Sequence, residues 1–581
     1  MPDARSPIFN NRAWGALSLS KFSAIWLVLA LAVFIIAILP LIYTIDASFY
    51  KENKTGLTSL RSIAPFVDVF TSQDYLEYLW KAIYLASIVT FLSVSLGVAL
   101  ALILARTNLP YRGVFDLLVI IPMFLSPFTG LISWIALGSV KTGFINVFVV
   151  SFGNYLGFNI EPIINIWSFS GIVWILFLFF TSLMYLFISS SLRSMDTSLE
   201  ESARTTGATA IQSLLKITLP MQIPAIVSSA LLIFIFSAEM YTIPGLIGAT
   251  FDFITLPWKI YQDSTAFPVH QAHAAAAATM LLIIAFIGMM IQRYVTRKST
   301  NYITVSGKGF KSNPIDLGKW TILSWVLVLG YIFCAVVLPV AGMVMSSLMK
   351  YSAPFISSEI FTFSHYVQIF TLQNILHALW NTAWLAVMTG LICVLIGFSI
   401  SYMEVRKSNN FTKTLGFIAT LPVAVPSLVY GLGLLWVYIQ TPLYGTTWVL
   451  LLAYTAKFLP YSIMTSRSGV LQLHPEMEES ARMVGATAEQ SIRYITMPIM
   501  KTTLIAILVF VMLQSIKELS SSVLLYTQDS QVLSVLTWHY MDSGNYQFAA
   551  AIGAVQTMMM LSLVILTRLI FRVKFEKIIG N

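Results

Sequence analysis

The chain has 581 residues, of which 57% are hydrophobic and 10% are charged, and its formal net charge is +9. A soluble domain carries roughly 25% charged residues, so the composition excludes an ordinary soluble protein and, with its many long apolar runs, predicts an all-α polytopic membrane protein. The positive charge is typical of Lys and Arg in cytoplasmic loops. The sequence has no basic patch with interleaved aromatic residues outside the apolar segments, so we expect no nucleic-acid partner. The expected environment is the lipid bilayer.

Apolar segments long enough to cross a membrane predict about 12 transmembrane helices. The first six are 22–45, 79–105, 114–138, 163–191, 222–247 and 274–295. The second six are 320–348, 379–403, 413–439, 446–470, 502–525 and 548–571. The first segment is too long for a signal-peptide core, and no small-residue cleavage site follows it, so we expect a retained span.

Lys and Arg collect in loops on one side of this layout, for example Arg106, Arg112 and Arg193. The positive-inside rule therefore predicts that both termini are cytoplasmic. Residues 139–162 and 248–273 fall on the opposite side, where we expect outer loops with short interfacial helices.

Four segments follow from this layout. They are a cytoplasmic N-terminus (1–21), a first six-span domain (22–295), a cytoplasmic linker (296–319) and a second six-span domain (320–581). The linker contains Gly307, Gly309 and Pro314 and little apolar periodicity. An even number of spans returns the chain to its starting side, so the two domains are predicted to be parallel repeats.

One polar sequence occurs twice, 278 residues apart. Residues 201–220 read ESARTTGATAIQSLLKITLP, and residues 479–498 read ESARMVGATAEQSIRYITMP. We call the surrounding segments 196–220 and 474–498 the first and second signature loops. Each predicts two short helices joined at a glycine that permits a left-handed turn. A solvated helical loop explains one copy, whereas two near-identical copies favour a docking surface.

This signature resembles that of permease subunits in ATP-binding-cassette (ABC) importers: Glu-Ala-Ala, three residues, Gly, nine residues, Ile-x-Leu-Pro. Ser202 and Ser480 replace the middle alanine, and Met497 replaces the leucine. The resemblance covers nearly the whole chain and implies two fused permease domains of the type I importer class. It implies that the signature loops are coupling helices, with ATPase-coupling residues Glu201, Ala203, Arg204, Gly207, Pro220, Glu479, Ala481, Arg482, Gly485 and Pro498.

The resemblance also implies partners and a location. The partners are two copies of a cytoplasmic ABC ATPase and a periplasmic or extracellular solute-binding protein, and the location is a bacterial inner membrane. The chain has no GxxxxGK[ST] phosphate loop, so we expect it to have no enzymatic activity and no cofactor. ATP and Mg would be used by the ATPase subunits.

Two segments look like the fused permeases of ferric-iron uptake systems, namely 418–438 and 514–526. Ferric iron is therefore the solute that the resemblance implies. Relatives that handle aminoethylphosphonate, sugar phosphates, thiamine or polyamines look broadly similar and remain alternatives.

Ionisable residues in the fifth span of each half predict a polar translocation pathway. Glu239 lies in an apolar run, and Lys517 and Glu518 lie in the equivalent region, with Ser515 and Ser520 beside them. Ionisable groups at membrane depth usually face a cavity or a partner. The alternative is that these side chains snorkel to the outer interface. Pro244, Gly245 and Gly248 interrupt the end of span five. A broken helix is tolerated at depth where it lines a cavity, but the favoured interpretation is that span five simply ends there.

Histidines are too scattered to predict a metal site or a catalytic centre. His270 and His273 stand three residues apart and could share a helix face, but a pair without a third ligand favours a hydrogen-bonding role at an interface. A secondary transporter also has twelve spans in two repeats, although its usual basic signature between spans two and three is missing here. A membrane enzyme would need clustered nucleophiles, acids or metal ligands at depth, and the sequence shows none.

Overall fold

The computed structural model describes residues 27–53, 56–195, 198–299, 316, 318–353 and 357–571. The predicted N-terminal segment 1–21 and most of the predicted linker 296–319 lie outside these residues. The described part is almost entirely helical, as the composition predicts.

In the first half, helical segments account for most of the described residues, and a hairpin of two strands follows the first helix. The helices are Leu27–Ala47, Ala64–Thr71, Gln73–Arg106, Arg112–Phe124, Pro127–Gly138, Phe144–Tyr155, Phe169–Ser194, Ser198–Thr205, Ala210–Ser213, Leu214–Thr218, Leu219–Ala238, Thr242–Gly248, Ala249–Phe251, Leu256–Thr265 and Gln271–Ser299. The strands, β1 (Tyr50–Asn53) and β2 (Gly56–Arg61), pair antiparallel.

In the second half the same order of long and short helices returns. The helices are Gly318–Trp320, Thr321–Ile332, Phe333–Val337, Leu338–Ser347, Ser358–Ile360, Ser364–Thr371, Gln373–Arg406, Asn410–Thr420, Leu421–Ala424, Ser427–Tyr438, Thr447–Leu471, Glu476–Met483, Ala488–Ser491, Ile492–Thr496, Met497–Ile499, Lys501–Ile516, Ser522–Leu525, Gln528–Ser530, Leu533–Asp542 and Tyr546–Phe571.

Within the part of the chain that the structure describes, eight single helices are long and apolar enough to cross a membrane, and the number rises to 11 if each of three bent helix pairs counts as one span. About twelve were predicted. The predicted span 446–470 forms the helix Thr447–Leu471, which is not among the eight. Its two cations, Lys457 and Arg467, lower its hydropathy.

Span three is broken in each half, which the apolar pattern of the sequence does not reveal. Helices Arg112–Phe124 and Pro127–Gly138 meet at 97°, and their equivalents in the second half meet at 108°. Proline disfavours helical geometry in the residue before it. Accordingly, Ser126, which precedes Pro127, and Val425, which precedes Pro426, are both extended.

Span five also ends earlier than the sequence predicts. The helix Leu219–Ala238 stops before Glu239 and resumes as Thr242–Gly248. In the second half, Lys501–Ile516 stops before Lys517. The expectation that span five ends at Pro244, Gly245 and Gly248 is therefore wrong, because these residues belong to a separate buried helix beyond the break.

The two halves exchange their first spans. Leu39–Ala47 of the first half packs against Ser427–Tyr438, and Leu338–Ser347 of the second half packs against Pro127–Gly138. Glycine makes one of these approaches possible: a Cβ on Gly433 would lie 2.3 Å from the carbonyl oxygen of Pro40. The first span of each half therefore packs against the broken span three of the other half.

Candidate functional site

Both signature loops form two short helices joined at a glycine. In the first loop, Ser198–Thr205 is followed by Gly207 at a φ of +96°, and in the second, Glu476–Met483 is followed by Gly485 at +93°. Glycine adopts these angles without the steric penalty of a Cβ. The second short helix of each loop then runs through one π-helical turn, Leu214–Thr218 or Ile492–Thr496, toward span five.

The tip of the second signature loop is exposed. Glu479, Arg482 and Gly485 are exposed. Met483 and Val484, which lie between Arg482 and Gly485, are 88% and 86% exposed. In the first loop Gly207 is also exposed. The remaining predicted coupling residues divide between the half-buried Ala203 and Ala481, the exposed Pro220 and Pro498, and Glu201 and Arg204, whose side chains lie outside the described part of the structure.

A buried carboxylate, Glu478, anchors the second loop to the membrane helices. It accepts hydrogen bonds from Tyr402 Oη at 2.7 Å and from Thr496 Oγ1 at 2.8 Å, and Arg406 Nε lies 3.4 Å from Oε1. Tyr402 and Arg406 end the long span-two helix Gln373–Arg406. The loop is thus tied both to span two and to the start of span five.

The first half repeats this anchor with equivalent residues. Thr218 Oγ1 donates to Glu200 Oε1 at 2.7 Å, and Arg106 Nη2 lies 3.7 Å from the same oxygen. Arg106 also donates to the Leu192 carbonyl at 2.8 Å. The sequence analysis missed Glu200 and Glu478 because it followed the next glutamate in each signature. Their signal was available, since both glutamates and both threonines keep the 278-residue spacing.

Two cations, Lys407 and Arg482, interact beside the second loop. Burial and the like charge of Arg482 lower the pKa of Lys407, the residue after the end of span two. Arg482 is exposed on the signature helix.

The predicted pathway residues meet a further cation, and together they form a central charge cluster of Glu239, Lys457, Lys517 and Glu518. Lys457 Nζ lies 2.6 Å from Glu518 Oε2, and the backbone N–H and hydroxyl of Ser521 each donate to Glu518 Oε1 at 3.1 Å. The Glu518 side chain is only 6% exposed. Glu518 therefore pairs inside the protein, which contradicts the snorkelling alternative for this residue.

Lys457 places the cluster near the middle of its helix. It is ten residues from Thr447 and fourteen from Leu471, which at 1.5 Å per residue corresponds to ~15 Å and ~21 Å along the axis. The Lys457 side chain keeps 28% exposure. Sequence reasoning missed Lys457, although an ionisable residue inside a predicted span is itself a signal for function.

The other two members of the cluster cross between the halves. Lys517 Nζ donates to the Met123 carbonyl at 2.6 Å, at the break in the first half's span three. Glu239 lies within hydrogen-bonding reach of the Ser427 backbone amide, at the break in the second half's span three, and its charge also interacts with Lys457 and Glu518. Each fifth span therefore contacts the broken third span of the opposite half.

Ser515 and Ser520 take different positions around this cluster. Ser515 is 2% exposed, and Ser520 is partly buried. The Ser521 hydroxyl donates to the Glu518 carboxylate. The hydroxyls of Tyr454, Ser522 and Ser534 donate to the Glu518 backbone carbonyl. Ser534 lies on the helix Leu533–Asp542, which precedes the last span.

Two repeated halves, a mid-depth charge cluster at their interface and two exposed anchored loops define the chain as a polytopic transport protein. The family described as binding-protein-dependent transport system inner membrane component matches residues 93–301 and 393–578. The chain belongs to this family, as a permease with both domains fused in one polypeptide, the architecture of an ABC importer.

Similar proteins include ferric transport permeases whose matches span most of this chain. The chain is 26% identical over 502 residues to the ferric transport system permease protein FbpB of Actinobacillus pleuropneumoniae, a match that covers 84% of this chain and 70% of the relative. It is 24% identical over 515 residues to the Fe(3+)-transport system permease protein FbpB 2 of Haemophilus influenzae, covering 88% and 91%. A putative 2-aminoethylphosphonate transport system permease protein, PhnV of Salmonella paratyphi A, is 28% identical over 199 residues, covering 32% and 74%.

Proposed function

We propose that this permease carries ferric iron into the bacterial cytoplasm, receiving it from an external solute-binding protein and drawing energy from two separate ATPase subunits. The observation that carries the proposal is the pair of exposed loops, each anchored by a buried Glu–Thr bond to the start of span five. A force applied to either loop would reach span five, whose far end holds a member of the central charge cluster.

Iron is favoured by the relatives that match most of the chain, because both are described as ferric transport permeases. The carboxylates Glu239 and Glu518 also suit a hard cation, which prefers oxygen ligands. The phosphonate relative matches only 32% of the chain. Even so, Lys457 and Lys517 give that alternative a specific observation in its favour, since two ammonium groups in the cluster would attract an anionic solute.

In this mechanism the signature loops lie on the cytoplasmic side, with both termini. ATP and Mg are bound by the ATPase subunits, and closure of the ATPase dimer draws the two loops together. The crossed contacts at Met123 and Ser427 then break or slide, because they join span five of one half to span three of the other. The pathway opens toward the binding protein, and ATP hydrolysis resets it.

Uptake of radioactive ferric iron tests the solute. Cells that express this permease with its ATPase and binding protein should accumulate iron, and cells that carry Glu518→Gln should accumulate at least ~10-fold less, equivalent to a barrier increase of ~1.4 kcal/mol. Lys501→Met is the matched control, because Lys501 is an exposed cation at the start of the helix Lys501–Ile516, which ends before Glu518. ATP-dependent uptake of 2-aminoethylphosphonate without uptake of iron would show that the phosphonate, not ferric iron, is the transported solute.

A further inference from the structure

Three potential metal ligands meet on the predicted outer side, far along the chain from one another. Glu52 comes from strand β1, whereas His270 and His273 flank the start of the helix Gln271–Ser299. Glu52 Oε1 lies 3.0 Å from His270 Nδ1 and 2.6 Å from His273 Nδ1. One ligand atom from each residue falls within 4.8 Å of the other two. The third ligand that the histidine pair lacked in the sequence is therefore supplied by the hairpin.

The hairpin is held in place independently of the histidines. The Ala272 backbone N–H donates to Glu52 Oε2 at 2.8 Å, which leaves Oε1 turned toward both imidazole rings. The Leu57 N–H donates to Gln271 Oε1 at 3.3 Å. A Cβ on Gly56, which has a φ of +135°, would lie 3.0 Å from that same oxygen. The strand and the helix are thus held next to each other by contacts that do not involve the histidine side chains.

His273 also lies beside a carboxylate and an aromatic ring. Its Nε2 lies 3.7 Å from Asp68 Oδ2, on the side of the ring opposite Glu52, and its ring stacks with Tyr75 at 6.3 Å between centroids. Tyr75 in turn donates to Asp263 at 2.7 Å. A metal-bound histidine typically points its second nitrogen at a carboxylate, which fixes the tautomer that leaves the first nitrogen free to coordinate.

We propose that Glu52, His270 and His273 form a binding site for a divalent first-row transition-metal ion. Two imidazoles and one carboxylate are a donor set that suits zinc and iron(II) and leaves positions open for water. The ion would replace the protons between the Nδ1 atoms and Oε1, so binding would release protons. It would clamp the outer hairpin to the last span of the first half. The site is separate from the central charge cluster and does not depend on the transported solute.

Metal titration of the full chain, purified in detergent, tests the proposal. Co²⁺ should bind with one ion per chain and give visible d–d absorption, and Zn²⁺ should displace it. Glu52→Gln and His273→Ala should each weaken binding at least ~10-fold. His377→Ala, an exposed histidine of the second half, is the matched control and should bind as the wild type does.

Backbone hydrogen exchange supplies a second measurement, which follows the hairpin itself rather than the bound ion. Zn²⁺ should slow exchange across 50–61 in the wild type and leave the Glu52→Gln protein unchanged. The proposal is overturned if the wild-type chain binds no more Co²⁺ than a variant that lacks all three ligands, or if Glu52→Gln binds as tightly as wild type. Neither experiment involves iron uptake, so its failure and the failure of the proposed function are distinguishable.

Discussion

Thr496 donates its hydroxyl to the buried carboxylate of Glu478 over 2.8 Å, which joins two residues that are 18 apart in the chain. The bond closes the second signature loop on itself, so that its first helix cannot move without the segment that enters span five. The first half repeats the bond between Thr218 and Glu200. In each half, therefore, the signature loop is joined through span five to the central charge cluster.

Loss of the Glu478 carboxylate should destabilise the loop. Glu478→Gln leaves the half-buried Arg406 without its counter-charge, so we expect a loss of about 2 kcal/mol, typical of a hydrogen bond to a charged group. ATP hydrolysis should continue while transport falls. Thermal unfolding in detergent and paired uptake and ATPase assays measure both effects. Glu476→Gln, whose side chain on the same helix is 79% exposed, should change neither.

Backbone conformation at Gly485 should decide whether coupling survives substitution. A Cβ there would have nothing within 4 Å, so only its φ of +93° opposes a side chain. Asn tolerates left-handed geometry better than other residues, whereas a β-branched residue is strained there by at least ~1 kcal/mol. Gly485→Val should therefore reduce uptake strongly and Gly485→Asn only mildly. Equal uptake by the two variants would show that the turn geometry is not required.

Charge reversal tests the ion pair at mid-depth. Lys457→Met leaves Glu518 buried without its cation, and we expect uptake to fall at least ~10-fold, which corresponds to an increase of ~1.4 kcal/mol in the rate-limiting barrier. The double variant Lys457→Glu with Glu518→Lys should recover part of this loss because it restores opposite charges at the same separation. A double variant no better than either single variant would argue against direct pairing in transport.

The crossed contact of Lys517 predicts a difference between two conservative changes. Lys517→Arg can still donate to the Met123 carbonyl, whereas Lys517→Met cannot, so only the second should loosen the break in span three. Protease or cysteine accessibility at Leu125, measured with and without a non-hydrolysable ATP analogue, would report this loosening. If the two variants behave alike, the bond has no part in holding the closed state.

The duplicated elements show most clearly which features of the structure can be predicted from the sequence. Apolar length predicted the spans, and the spacing of Gly207 and Gly485 predicted the turns, because both properties are local. The pairing of Lys457 with Glu518 and the crossing of Lys517 to Met123 depend on how helices pack, and apolar periodicity carries no information about partners. The hairpin that brings Glu52 to the two histidines was likewise hidden, since four to six polar residues in an outer loop give little strand signal.

The breaks in spans three and five show a different limit. The sequence shows Pro127 and Pro426, but a proline alone does not predict a break. Proline is tolerated inside membrane helices when neighbouring groups satisfy the freed backbone groups. Whether a helix continues or turns there is decided by those neighbours, which here include residues of the other half. Lys517 is one of them, and its sequence position alone does not reveal it.

Photo-crosslinking from the exposed tip of the second signature loop tests the central claim most directly. A photoreactive residue at Met483 should crosslink, in membranes, to a separate subunit that mass spectrometry identifies by its GxxxxGK[ST] phosphate loop. The same residue at Phe152, which is 52% exposed on the predicted outer side, should not. A Phe152 crosslink to that subunit, or none from Met483 in complexes that still import, would contradict the account.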